Sequence, residues 1–273
     1  MSGDFTWSRR KYLSTGTRAG VIAFERQLRD TVDEVIRVCE AEGIDADIHR
    51  TDCLTYACTP AQMQRLRDGL AEDRSWEIGP DRVGLIEGAE ATARIRVPNA
   101  LGALVTHGVA RVQPAKLVRG LAAVVERLGV AIFEQTTVTG IAKGRVSTNR
   151  GTVRARRIIR ATEGFTHGIP GNEREVLPMN SAIVVTEPLP QSLWDDIGWT
   201  GAELLGDASH AYCYAQRTRE GRIIMGGRGV PYRFGSATDL RGQTQAETVR
   251  QLTEILYRML PQTRGLRLDH ADA

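Results

Sequence analysis

Apolar positions recur along this chain with two periods, and the switches between them mark out its elements. Between Arg18 and Glu42, the residues Val21, Phe24, Leu28, Val32, Val35 and Cys39 fall three or four apart, on one stripe of a long helix. Gly43 follows, supplying the left-handed residue that commonly ends a helix. Residues 48–57 read as a strand stopped at Thr59-Pro60, and residues 61–72 as a surface helix. IEGAEATARI, ahead of Pro98, predicts a short helix, and residues 105–112 an irregular or extended link.

The densest pattern runs from 112 to 166. Pro114 suits a first helical position, because it has no N–H and its φ is already set, and Gln113 can precede it as a cap. Leu117, Val118, Leu121, Val124, Val125 and Leu128 form one apolar stripe, closed by Gly129. Val130, Ala131, Ile132 and Phe133 are then a short apolar run of the kind buried parallel strands use. Residues 146–148 and 152–154 flank Asn149-Arg150-Gly151 as a hairpin. Arg157-Ile158-Ile159-Arg160 predicts a strand that leaves into Ala161-Thr162-Glu163-Gly164. Small residues at such a strand end let a backbone approach a ligand closely. Beyond Gly171, SAIVVTEP is a strand, residues 193–197 a short helical turn, and 212–216 with 222–226 a hairpin around Arg219-Glu220-Gly221. Residues 244–260 form an amphipathic helix ended by Pro261. Strands therefore flank the 112–166 block on both sides, which points to a mixed α/β, α+β protein of two interleaved parts.

Composition narrows the class. A chain of 273 residues buries a large core in one or two domains. Hydrophobic content of 41% and charged content of 25% are ordinary for a globular protein. No run of 18 apolar residues exists and the N-terminus lacks a leader-like apolar stretch, so a cytoplasmic protein without membrane contact is expected. A net charge of +3 is too mild to argue for nucleic acid. Of the basic residues 33 are Arg and 3 are Lys, a bias that codon composition explains better than ligand recognition. Cys39, Cys53, Cys58 and Cys213 show no C-x-x-C or zinc spacing and read as buried reduced thiols. Asp45, Asp47 and His49 alternate on one strand but lack a fourth ligand, so no metal site is expected. Arg154, Arg156, Arg157 and Arg160 read as a solubilising face.

Three segments carry a family resemblance. QPAKLVRGLAAVVERLGV resembles the helix and strand, RATEGFT the strand end, and YCYAQRTREGRIIMGGRG the strand–turn–strand with a glycine pair found in FAD-dependent oxidoreductases of the D-amino-acid oxidase, glycine oxidase and sarcosine oxidase group. The first helix with DTVDEVIRVCEAEGIDAD, and the ATEGFT variant, resemble gamma-glutamylputrescine oxidase-type enzymes in particular. The likeness covers about residues 17–270. It departs from the group in two places. No G-x-G-x-x-G turn occurs, and the chain stops at LRLDHADA, about where the group's closing glycine-rich segment starts. The likeness maps onto the middle of such a chain, so a fragment is expected.

The resemblance implies a partial FAD-binding layered domain (1–43 and 112–171), with an interleaved substrate domain on a mixed β-sheet (44–111 and 172–243). Residues 244–273 would return toward the FAD domain. It implies oxidation of a C–N bond in a small amine or amino acid, giving an imine that water hydrolyses, with dioxygen as reoxidant. It places Val138, Ala161, Thr162 and Gly164 against FAD, and Tyr212, Tyr214 and Gln216 on the substrate side of one strand, with Arg217 pointing the other way. No catalytic dyad is visible, as expected where the cofactor carries the hard step. The alternative is a non-catalytic remnant that binds FAD weakly or not at all, because pyrophosphate has no glycine-lined helix N-terminus to meet. A nicotinamide-dependent dehydrogenase needs the same missing turn and is a poorer reading. Residues 157–160, without their usual neighbour, would leave an unpaired edge or an apolar face in water.

Overall fold

The computed structural model describes residues 1–3, 8–227, 232, 234–237 and 244–272. Along the chain these form α1 (Arg9–Leu13), α2 (Arg18–Glu42), β1 (His49–Ala57), α3 (Pro60–Ser75), β2 (Val83–Glu87), α4 (Gly88–Arg94), β3 (Gly102–Arg111), α5 (Pro114–Arg127), β4 (Val138–Ala142), β5 (Arg145–Thr148) and β6 (Gly151–Arg154). Then follow β7 (Ala182–Thr186), α6 (Gln191–Ile197), β8 (Leu204–Asp207), β9 (Cys213–Arg217), β10 (Ile223–Gly227), α7 (Ala246–Met259) and β11 (Leu268–Asp272).

Local chemistry sets the helix ends. The Thr17 hydroxyl accepts from the Gly20 N–H at 3.1 Å to open α2, and Gly43, at φ 67°, closes it. Thr59 and Gln62 form a reciprocal capping box at the start of α3, with Pro60 in its first turn. The Gln113 side chain caps α5 by accepting from the Lys116 N–H at 2.9 Å. The buried face of α2 is Val21, Glu25, Val32, Ile36 and Cys39, rotated from the expected stripe. Phe24 is instead 41% exposed and meets Tyr12 of α1 edge-on, while Arg9 of α1 draws Glu25 inward.

Eight strands make one mixed sheet in the order β11-β7-β10-β9-β8-β1-β3-β2, in which β1 and β8 are parallel and the other neighbours antiparallel. Its inner face carries Leu54, Tyr56, Val105, Val184, Leu205, Ile223 and Met225, packed against Ile95, Trp194, Trp199, Leu252 and Leu256 of the α4, α6 and α7 regions. Met63 and Leu66 of α3 cover the other face at Ala57 and Leu104, and Val32 and Ile36 of α2 cover Ala110. A separate three-stranded sheet, β4-β5-β6, holds the expected hairpin at Asn149-Arg150. Among the described residues, no helix is long and apolar enough to cross a membrane.

Several expectations need correction. Residues 105–112 are not a link: β3 pairs with β1 on one side and β2 on the other, and Val105, Val109 and Ala110 are buried. His107 and Gly108 interrupt the alternation at a register shift, which hid the strand from its sequence pattern. Residues 130–133 and 157–160 are not strands. Neither stretch joins either sheet, so their backbones have no ladder partner among the described residues. Phe133 is 75% and Ile159 91% exposed. Half of the α5 stripe is likewise exposed: Val124 is buried and Leu117 and Val125 are half-buried, whereas Val118, Leu121 and Leu128 face solvent. The cysteines are all free thiols, but Cys53 and Cys58 are only half-buried. Burial pushes the Cys213 thiol up to about 12. Asp47 holds ion pairs to Lys116 Nζ at 2.7 Å and Arg219 Nη1 at 2.9 Å.

This division predicts opposite responses to truncation. Trp199→Ala removes a fully buried ring and should cost about 3–5 kcal/mol in urea unfolding. Ile159→Ser should stay within about 0.5 kcal/mol of the parent while lowering binding of a hydrophobic dye.

Candidate functional site

Strand register decides what the outer face of the sheet carries at β9 and β10, away from the part that α2 and α3 cover. In β9 Tyr214 stands opposite Gly226 and Gln216 opposite Ile224, while Gly226 stands opposite Ile183 of β7. Cys213 and Ala215 point into the core, so alternation sends Tyr214 and Gln216 outward. Gly226 is required at this point. A Cβ there would lie 2.3 Å from the Tyr214 ring, so glycine lets that ring lie across the neighbouring strand.

The Tyr214 phenol oxygen lies 3.3 Å from Ser181 Oγ. Ser181 belongs to a cleft of about 620 Å³, whose walls include Thr162, Gly164, Phe165, Leu177 and Met179. The outer sheet face and the cleft thus meet at one hydroxyl pair. Phe165, Leu177 and Met179 are exposed apolar side chains at this opening, suited to an organic ligand with an apolar part. Thr162 and Thr166 are linked by their hydroxyl oxygens at 2.7 Å, which ties the start of the 3₁₀ turn Glu163–Gly168 to its middle.

The expected site residues divide into three places. Tyr214 and Gln216 share the outer face, and Tyr212 lies just ahead of β9 at 50% exposure. Arg217 faces the other way: its guanidinium sits 4.1 Å from the Trp194 ring centroid, and Nη1 donates to the Trp199 carbonyl at 2.7 Å. Burial and the neighbouring Arg111 draw Arg217 below the ordinary arginine value. Thr162 and Gly164 line the cleft and Ala161 joins them in sequence, but in an irregular segment running into a 3₁₀ turn rather than at a strand end. Val138 opens β4 opposite Thr148 in the small sheet and is not part of the cleft wall. Arg228 and Gly229 lie outside the described residues.

Glu163 lines the cleft at φ 46°, with its carboxylate turned back to accept from the Gly164 N–H. Arg160 also lines it, but its guanidinium already donates to Asn172 and Glu175. Ser181, Phe165, Leu177 and Met179 escaped the sequence reading. VLPMNS has no period, and Ser181 merely heads the SAIVVT strand, so only the folded chain shows that they converge.

Comparison with known proteins agrees with this architecture. A sequence profile described as "DAO: FAD dependent oxidoreductase" matches residues 6–272. The chain is 28% identical over 135 residues to a probable oxidoreductase OrdL of Haemophilus influenzae, covering 46% of this chain and 31% of that protein. It is 25% identical over 219 residues to a probable oxidoreductase OrdL of Rhizobium meliloti, covering 77% of this chain and 48% of that one. It therefore spans less than half the length of these curated relatives. In fold it is similar to L-proline dehydrogenase from P. horikoshii, with a TM-score of 0.73, 18% identity, and coverage of 91% of this chain and 66% of that one. It is likewise similar to glycine oxidase from Bacillus cereus, with a TM-score of 0.70, 16% identity, and coverage of 98% and 68%. With the profile matched over nearly its whole length, the chain belongs to the DAO family of FAD-dependent oxidoreductases.

Proposed function

We propose that this chain is the central portion of an FAD-dependent oxidoreductase that oxidises a C–N bond in a small amine or amino acid. The product is an imine that water hydrolyses, with dioxygen as the terminal oxidant. One observation carries the reading: in a chain of this family, Tyr214 and Gln216 share the sheet face opposite the core, and Tyr214 meets a cleft at Ser181. The names of the fold neighbours, a proline dehydrogenase and a glycine oxidase, support an amino-acid substrate.

The roles follow from the side chains. The Tyr214 phenol is a donor suited to a substrate carboxylate, and Gln216, two residues along the same face, offers a donor and an acceptor for an amide or amine. Phe165, Leu177 and Met179 exclude water from the apolar part of the substrate. In this division residues 1–43 and 112–171 belong to the cofactor half. Residues 44–111 and 172–243 build the substrate half, and α7 follows them back toward the cofactor half. Four free thiols suit a reducing cytosol.

A second reading has its own observation. The cleft does not fit the pyrophosphate of FAD. That group needs free N–H donors at a helix N-terminus or unpaired cations. The cleft instead presents the Glu163 carboxylate, and its Arg160 is already held by Asn172 and Glu175. Val138, Ala161, Thr162 and Gly164 remain the proposed cofactor contacts, insufficient by themselves for tight binding. The chain alone is therefore a weak FAD binder or none.

Two measurements test these readings. Titrating FAD into the purified chain and following flavin fluorescence should give no stoichiometric quenching; tight quenching removes the second reading. Binding of glycine, proline and a diamine by ligand-observed NMR tests the first without flavin. At least one should bind, and Tyr214→Phe should weaken it about tenfold, the worth of one hydrogen bond to a charged group. Gly226→Ala, which forces the ring aside, should match that loss. If none of these ligands binds, or both variants bind like the parent, the substrate wall is elsewhere.

A further inference from the structure

A second cavity, of about 210 Å³, lies where the N-terminal segment, α2 and the end of α3 meet β2 and β3. Its lining is charged, and the charges are unevenly matched. Both carboxylates in it, Glu25 and Asp73, are taken by one cation. Arg9 donates through Nε and Nη2 to the two Glu25 oxygens at 3.1 and 2.7 Å, and through Nη2 to Asp73 Oδ1 at 2.7 Å. Two further arginines of the lining, Arg29 and Arg82, are half-buried, and neither forms an ion pair or side-chain hydrogen bond among the described residues. Three guanidinium groups thus face two carboxylates. Withdrawing a guanidinium partly from water without a partner is unfavourable, which an anion would relieve.

The backbone makes room for this arrangement. β3 breaks register with β1 at His107-Gly108, where Gly108 takes φ 74°. A glycine in that conformation is the mark of one type of β-bulge, a device that re-aims side chains beside ligand sites. A Cβ on Gly108 would lie 2.6 Å from Arg82 Nη1, so glycine lets the guanidinium rest against the strand. The bulge also sets His107 on the cavity wall, with Nδ1 held at 2.8 Å by Asp52 Oδ1. Asp52 is fixed in turn by Arg94 at 3.0 Å. The imidazole is therefore held in place by its own carboxylate.

We infer that this cavity binds a small oxyanion of the phosphate type, with Arg29 and Arg82 as its ligands. Two forked guanidinium groups offer more N–H donors than one carboxylate accepts, whereas the oxygens of a phosphate group can take them together. This site is built from different residues than the Tyr214 cleft and does not rest on the proposed reaction.

The test is isothermal titration of the whole chain with inorganic phosphate at constant ionic strength, with acetate in a parallel arm. A single saturable site for phosphate is expected, with acetate weaker. Arg82→Gln and Arg29→Gln should each weaken phosphate by about tenfold, the loss of one charge-assisted hydrogen-bonding partner. Gly108→Ala should weaken it as well. If Arg82→Gln does not fold, Arg82→Lys decides, since it keeps the charge and loses the fork; reduced affinity supports the site and unchanged affinity overturns it. Absence of saturable binding, acetate binding as tightly as phosphate, or full affinity in folded Arg29→Gln and Arg82→Gln also overturns it.

Discussion

The contact between the inner face of the eight-stranded sheet and the helices above it is the one on which the rest of this molecule depends. Leu54, Tyr56, Val184, Leu205, Ile223 and Met225 are buried there against Trp194, Trp199, Leu252 and Leu256. Because side chains alternate along a strand, committing Cys213 and Ala215 to this core commits Tyr214 and Gln216 to the opposite side. A slip of one residue in β9 would exchange the two sets and dismantle the candidate site. Burial of one face therefore fixes which side chains the other presents.

That constraint stops where pairing stops. Residues 130–133 and 157–160 have the composition of strands, but a strand needs a neighbour to take its N–H and C=O groups. Among the described residues they have none, and Phe133 and Ile159 remain largely exposed with Val118 and Leu128. The same central region carries the proposed FAD contacts and the unsuited charge of Glu163. The molecule thus combines a well-packed eight-stranded sheet with a central region whose apolar side chains Val118, Leu128, Phe133 and Ile159 are exposed.

Electrostatics follow a similar logic of pairing. Arg9 gathers two carboxylates and pins α1 to α2 and α3, while Asp47 joins the loop before β1 to Lys116 of α5 and Arg219 of the β9–β10 hairpin. These matched groups hold segments together. The unmatched ones, Arg29 and Arg82 beside the β3 bulge, are where a ligand is inferred.

The sequence by itself determined the elements whose signals are local. The bounds of α2 and its Gly43 stop, the Gln113-Pro114 start of α5, the hairpin at Asn149-Arg150, and the outward pairing of Tyr214 with Gln216 follow from periodicity, capping and alternation. The family also was legible, from three short segments. Tertiary structure decided the rest. It made most of 105–112 part of β3, a strand paired on both sides, because two neighbours were available to pair with it. It left 130–133 and 157–160 irregular, because none was. It also brought Ser181 to Tyr214, and Arg82 to Gly108, across gaps that no periodicity encodes. A strand is half of a bond pattern, and its sequence states only what one side would offer.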